Sequence, residues 1–441
     1  MSTNKIQAAI QKLNEKYAVV NLKGKAAVLH EIIDPETAHK DVEFFTVESF
    51  HQYLANQTIE ISEKVNGKKS KKEVPISKIW FKAADRRQYD GVVFDPGRIG
   101  NADGYYNLFQ GFAVKPKAGD WGLMYYHIEQ VIANGDTQIL DYVLSWIADL
   151  FQNAGGKPPG VALVLRGDQG VGKGVFASTI GKIIGQHFVH IMSPTHFTGR
   201  FNLHLKDKLL IYVDEAVWGG DRSIEGIVKG YITEDNLWIE PKGLNQFSIK
   251  NHLHFIIAGN HEWLVHAGPG ERRMFILDVS PKYQGDHEYF NDLMRQMDNG
   301  GREAMLHDLL KYKSDINLKD FPRTCALTEH VMRSWTNIQG FWFERLQEGT
   351  LSAEDQYWLG SISVDSLYKE FLDYCKKLNI RHVEERSVFC KEIRKICPIL
   401  KRFRPRSESD ARPPSYLFPE LNIARDLFEK KMKCSLATAW D

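Results

Sequence analysis

The chain has 441 residues, of which 43% are hydrophobic, 26% charged and 12% aromatic. That length exceeds what one hydrophobic core organises and predicts several domains, while the composition excludes large-scale disorder. A formal net charge of +1 leaves no whole-molecule field to attract a polyanion, so any nucleic-acid contact has to come from local clusters.

In chain order, the opening MSTNKIQAAIQKLNEKY is polar and amphipathic and has no apolar leader core. Nowhere do about 18 uncharged apolar residues run together, so the expectation is a protein of the cytoplasm of a bacterial host or virus-infected cell, with no membrane partner. From about Tyr17 to Phe112, β-like runs such as YAVVNL and GVVF mix with a helical piece around Phe45 to Leu54, which predicts a small α/β domain. The run KVNGKKSKK interrupts it and reads as a solvated loop, with nucleic-acid contact as the alternative. Between Gly122 and Gln152 the apolar positions Ile128, Val131, Ile132, Ile139, Tyr142, Val143, Trp146, Ile147, Leu150 and Phe151 recur at helical spacing and predict one or two helices.

The next stretch, PPGVALVLRGDQGVGKGVFASTIGKIIG, reads as apolar strand, glycine loop and helix, the order that a parallel α/β sheet requires. Further strands are expected at KLLIYVDE, HLHFIIAGN and FILDV, then mostly helix from Tyr283 to Leu310 and from Leu327 to Leu346. From about Ser361 the pattern is helix, turn, helix, then KRFRPRSESDARPPSYLF, a basic hairpin with a turn-rich tip that resembles a winged helix. Cys325, Cys375, Cys390, Cys397 and Cys434 are odd in number and contain no CxxC pair, which fits a reducing compartment. The set Cys375, His382, Cys390 and Cys397 lacks finger-like spacing, so core thiols are expected rather than zinc.

The chemistry concentrates in the middle of the chain. Glycines at 167, 170 and 172 let a backbone curl so that successive N–H groups face phosphate oxygens, and Lys173 follows where an ammonium reaches the β- and γ-phosphates. The cofactor-binding set is therefore Gly167, Asp168, Gln169, Gly170, Val171, Gly172, Lys173, Gly174 and Val175. The usual magnesium-binding Ser or Thr is replaced by Gly174. That leaves Asp214, a water, or Ser178 or Thr179 one turn on to hold the ion. Asp214 and Glu215 end an apolar strand where an open parallel sheet binds its ligand, so Asp214 can hold a metal and Glu215 can activate water. Asn260 ends the next strand and suits a γ-phosphate or lytic-water contact. Arg272 and Arg273 offer guanidiniums to a neighbouring subunit's nucleotide, one of them as an arginine finger. WIEPKGLNQFSIK looks like a hairpin presenting Lys242 at its tip, with Lys250 or His252 assisting, where a lysine can follow a phosphodiester backbone.

Together these motifs resemble the superfamily 3 helicases, specifically the phage and mobile-element primase-helicases related to the poxvirus-type primase-helicase. The resemblance spans about Trp80 to Asp278 and rests on YYNLFQGFAVKP, YVLSWIADLFQ, GDQGVGKG, FNLHLKDKLLIYVDEA, KGYITEDNLWIEPKG, FIIAGNHEW and GERRMFILDV. It implies an α/β fold with an AAA+ P-loop core, a homo-hexameric ring, and ATP and Mg2+ used at subunit interfaces to translocate on single-stranded or forked DNA. By resemblance Lys173 is the Walker A lysine, Asp214 and Glu215 the Walker B acids, Asn260 the sensor, Lys242 the pore lysine, and Arg272 or Arg273 the finger. Primase, polymerase or origin-binding partners are implied. The first ~115 residues carry no paired catalytic carboxylates on a strand, so no primase activity is expected. Lys391, Arg394, Lys401, Arg402 and Arg404 would form a basic recognition helix and wing, the alternative being a solvated basic face. The expected domains are residues 1–118 (accessory α/β), 119–285 (ATPase), 286–350 (helical) and 351–441 (winged-helix-like). The expected function is replicative unwinding for a phage or mobile element. An ATPase that remodels nucleoprotein without unwinding, and an origin-binding protein with a regulatory nucleotide site, remain the alternatives.

Overall fold

The computed structural model describes all residues except 1, 23, 34–39, 66–67, 193–201, 215–221, 241–245, 261–263, 266, 269, 405–412, 434–435, 437–439 and 441. The described residues form two compact units, one within 1–264 and 278–321, the other within 265–277 and 322–441.

The first unit opens with helix α1 (Ser2–Asn14) and strands β1 (Tyr17–Leu22), β2 (Lys25–Ile33) and β3 (Lys40–Thr46), followed by α2 (Val47–Tyr53). The predicted helix at Phe45 starts later than expected. Phe45 pairs with Val28 inside the sheet, and Thr46 caps α2 by accepting from the Ser49 N–H at 3.1 Å. Strands β4 (Thr58–Val65) and β5 (Lys68–Pro75) form an antiparallel hairpin over the lysine run, so the expected loop is corrected to paired strand. Lys71 meets Glu60 at 2.8 Å across it. The sequence signal for this pairing is Asn66-Gly67, a two-residue hairpin-turn pair. Helix α3 (Ile76–Lys82) and strands β6 (Gln88–Tyr89), β7 (Gly91–Val93) and β8 (Tyr105–Asn107) complete the region. Its sheet has the order β3-β2-β1-β6, and its core packs Ile10, Tyr17, Val28, Phe50 and Trp80.

Helix α4 (Gly122–His127) runs into a π-helical turn (Ile128–Ile132), and α5 (Thr137–Gln152) follows, capped by Asp136, whose carboxylate accepts from the N–H of Gln138 and Ile139. Then come β9 (Ala162–Arg166), α6 (Lys173–Ile184), β10 (Phe188–Ile191), β11 (Leu210–Asp214), α7 (Arg222–Thr233), β12 (Asn236–Ile239), β13 (Phe247–Lys250) and β14 (His254–Gly259). Strands β10, β11, β14 and β9 lie side by side in that order, each pair parallel. They are buried on both faces: Leu163, Val164, Ile211, Val213, Ile256 and Ile257 are all fully shielded. This is why their sequences are continuous apolar runs rather than alternating ones. Strands β12 and β13 pair antiparallel, as the hairpin reading expects. FILDV forms β15 (Met274–Asp278), and α8 (His287–Gln296) and α9 (Arg302–Leu309) follow.

In the second unit, α10 (Cys325–Arg333) and α11 (Asn337–Glu348) precede β16 (Ser361–Ser363), α12 (Val364–Lys377), α13 (Arg386–Ile396), β17 (Lys401–Phe403), β18 (Ser415–Leu417) and α14 (Leu421–Met432). The three strands form an antiparallel sheet in the order β16-β18-β17. Phe341, Trp342, Phe371, Phe389, Tyr416 and Phe428 fill the core, together with Cys375, Cys390 and Cys397. Burial pushes the Cys375 and Cys397 thiols up to about 11, which makes them inert apolar fillers. Among the described residues no cluster of His, Cys, Asp and Glu has the makings of a metal site, and no helix is long and apolar enough to cross a membrane.

Candidate functional site

The loop from β9 to α6 is shaped by its glycines. Gly170 and Gly172 have φ of +83° and +103°, conformations in which an L side chain is strained. Gly172 is also the cap residue of α6, so the helix starts with Lys173 and turns its unsatisfied N–H groups toward the space above the loop. The Lys173 side chain is buried, and its ammonium donates to the Gly167 and Asp168 carbonyls at 2.6 and 2.7 Å.

A cleft of about 400 Å3 opens over this loop, lined by Gln169, Gly170, Gly172, Lys173, Gly174, Val175, Tyr212, Asp214, Gly259, Asn260, Gly285, His287 and Phe290. Lys173, Asp214 and Asn260 are thus brought to one space from three separate sequence regions. Of the expected cofactor-binding residues, Gly167, Asp168 and Val171 do not line it. Val171 is 1% exposed and points inward as a packing residue. The two hydroxyls one turn into α6 do not reach the cleft: Ser178 donates to the Val175 carbonyl at 3.3 Å, and Thr179 is fully buried outside the lining. Asp214 lies beside His190, with Nε2 3.8 Å from Oδ2. Glu215 and Lys242 lie outside the described residues.

The cleft has two flanks, set by what pairs on either side of β9. On one side β14 delivers Gly259 and Asn260, and the Gly167 N–H donates to the Gly259 carbonyl at 3.2 Å. On the opposite side the Val279 N–H donates to the Arg166 carbonyl at 2.8 Å, and the Arg166 guanidinium grips Asp278, Nη2 to Oδ2 at 2.8 Å. From Val279 the chain runs into Tyr283 to Phe290.

Sequence reasoning misses that second flank, and with it the residue that fastens it to the loop. His127, fully buried at the end of α4, is bonded to the Tyr289 hydroxyl through Nδ1 at 3.0 Å and to the Gly172 carbonyl through Nε2 at 3.3 Å. Tyr289 stacks on Tyr283 with ring centroids 3.9 Å apart, and Gln284 donates to the Gln169 carbonyl at 3.0 Å. Burial pulls the His127 imidazole down to about 4, so it is neutral at ordinary pH. A lone His on an apolar helix gives no sequence signal for this role, because its partners lie 45 and 162 positions away.

The remaining candidates lie elsewhere. Lys250 is exposed at the end of β13, whereas His252 is buried and bonded through Nδ1 to the Gly156 carbonyl at 2.8 Å, so its expected assistance to Lys242 is corrected to a structural role. In the second unit, Glu271 Oε1 accepts from the N–H groups of Arg272 and Arg273 at 2.9 and 2.7 Å. Arg272 is exposed and Arg273 half-buried. Lys391 and Arg394 on α13, and Lys401, Arg402 and Arg404 on and after β17, are all exposed.

Known proteins offer two kinds of likeness. A family model described as a family of unknown function, DUF5906, matches residues 165–273. The DNA primase-polymerase of Nitratiruptor phage NrS-1 is 27% identical over 148 residues, 33% of this chain and 20% of that protein, so the chain spans about one fifth of this relative's length in the match. The apo structure of the NrS-1 C-terminal region (305–718) has the same fold with a TM-score of 0.67 at 16% identity, over 95% of this chain and 100% of that one. The A form of that apo region gives 0.65 over 93% and 98%. The chain is thus similar in sequence, over a third of its length, to a phage DNA primase-polymerase, and along nearly its whole length it has the fold of the NrS-1 C-terminal region.

Proposed function

We propose that the chain is an ATP-dependent DNA helicase of the superfamily 3 kind with an AAA+ core, acting in replication of a phage or mobile element as a homo-hexameric ring on single-stranded or forked DNA. The observation that carries this reading is the cleft in which an amide-lined glycine loop and Lys173 face Asp214 and Asn260. A triphosphate gripped by the loop turns its γ end toward the Asp214 and Asn260 flank. Its nucleoside end then lies on the Gly285, His287 and Phe290 flank. Lys173 leaves its two carbonyl partners to neutralise the β- and γ-oxygens, Asn260 orients the γ-phosphate or the attacking water, and Glu215 takes the proton of that water.

Magnesium fits the donor set. The ion characteristically keeps several waters and takes one or two carboxylates besides the phosphates, and Asp214 is such a carboxylate at the cleft wall. When bound, the ion would offset negative charge on the β- and γ-phosphates. Arg272 or Arg273 serves the site of a neighbouring copy, Lys242 and Lys250 follow the DNA strand in the pore, and Lys391, Arg394, Lys401, Arg402 and Arg404 hold duplex as a winged helix. The domains of this reading are 1–118, 119–285, 286–350 and 351–441.

The test is ATP hydrolysis with and without single-stranded DNA, alongside strand displacement. Lys173→Ala should abolish nucleotide binding and unwinding in a folded protein, and hydrolysis retained at the wild-type rate would sink the site assignment. Gly174 favours a second reading, a regulatory nucleotide site in an origin-binding protein. That reading wins if the protein binds ATP with magnesium yet turns none over in the presence of DNA.

A further inference from the structure

The loop ends Gly172-Lys173-Gly174, so the hydroxyl that ordinarily follows the lysine is missing. A Cβ built on Gly174 would meet a single neighbour within 4 Å, the hydroxyl oxygen of Tyr212 at 3.7 Å. Tyr212 lies two residues before Asp214 on β11, and alternation along a strand turns both to the same face. Both line the cleft. The phenol is held in place: Tyr212 is 2% exposed and stacks on His190 with ring centroids 4.7 Å apart and planes 28° from parallel, and His190 in turn reaches Asp214. Ser178 and Thr179 do not line the cleft.

We propose that the Tyr212 hydroxyl replaces the absent loop hydroxyl, holding a water of the magnesium shell beside Asp214 across the space that Gly174 leaves open. A serine oxygen binds the ion directly at about 2.1 Å. A phenol coming from β11, which is separated from β9 by β14, stands one hydrogen bond farther out, about 2.7 Å, and a glycine at 174 keeps that path clear. Magnesium tolerates this because it gives up its waters reluctantly and is readily held through them. The inference deepens the nucleotide-cleft reading and rests on it.

The test measures binding of the non-hydrolysable β,γ-imido analogue of ATP to the full chain by calorimetry, once with magnesium and once with EDTA. The wild type should bind more tightly with the ion. Tyr212→Phe should lower that magnesium advantage roughly ten-fold, the worth of one good hydrogen bond to a charged group, with the EDTA affinity unchanged. Adding Gly174→Ser, whose Cβ fits at ordinary contact distance, should restore it. An unchanged advantage, an equal loss under both conditions, or a double variant that stays at the Tyr212→Phe value overturns the role of Tyr212. A wild type that binds the analogue under neither condition overturns the nucleotide-cleft reading and this inference together.

Discussion

His127 and His187 are two histidines with no exposure at all, and burial pulls both down to about 4 from an ordinary 6.5. Each is neutral in the folded chain and bonded to a backbone carbonyl, Gly172 for His127 and Asp207 for His187. In the unfolded chain each takes a proton near pH 6.5. Their contribution is therefore complete above pH 6.5 and is lost as the pH falls toward 4, by roughly 3 kcal/mol per histidine. Urea midpoints at pH 7, 5.5 and 4.5 should fall across this window, and His127→Gln with His187→Gln should flatten the slope. A double variant as acid-sensitive as the wild type would refute the assignment. Lys173, Asp214 and Asn260 are legible as residues because each stands at the end of an apolar run or of the glycine loop that follows one. His127 and Tyr212 are not, because each sits among buried residues that look like core.

At the scale of elements, the glycine loop between β9 and α6 owes its shape to one glycine above the others. Gly172 combines a φ of +103° with a Cβ position only 2.4 Å from the His127 ring. Gly172→Ala should cost about 2 kcal/mol in stability and should weaken ATP binding, since strain and clash both fall on the cap of α6. By contrast, a Cβ on Gly226 in α7 meets nothing within 4 Å, so Gly226→Ala should raise stability by roughly 0.5–1 kcal/mol. Thermal unfolding of the two variants with an ATP titration checks both signs. The parallel strands are legible because burial on both faces writes an unbroken apolar run. The β4–β5 hairpin is not, because lysines conceal a period of two wherever a strand pair is solvated.

For the whole molecule, a net charge of +1 means that any affinity for DNA has to reside in patches, and the second unit carries exposed basic residues on α13 and β17. Replacing Lys401, Arg402 and Arg404 together with alanine should weaken duplex binding uniformly across sequences. It should also reduce the slope of log K against log salt by about 0.9 for each phosphate that no longer meets a cation. Anisotropy titrations of a labelled duplex at several salt concentrations read both quantities, and an unchanged slope would assign these residues to a merely solvated face. The strand, glycine loop and lysine are legible from local order alone, because they are consecutive in the chain. The sequence also determined which strands lie in the buried sheet, through their composition. That Tyr212, Asp214, Asn260 and Phe290 surround that loop comes from long-range packing. Their meeting depends on the lateral order β11-β14-β9 and on the bond between Val279 and Arg166, long-range hydrogen bonds that no local pattern encodes.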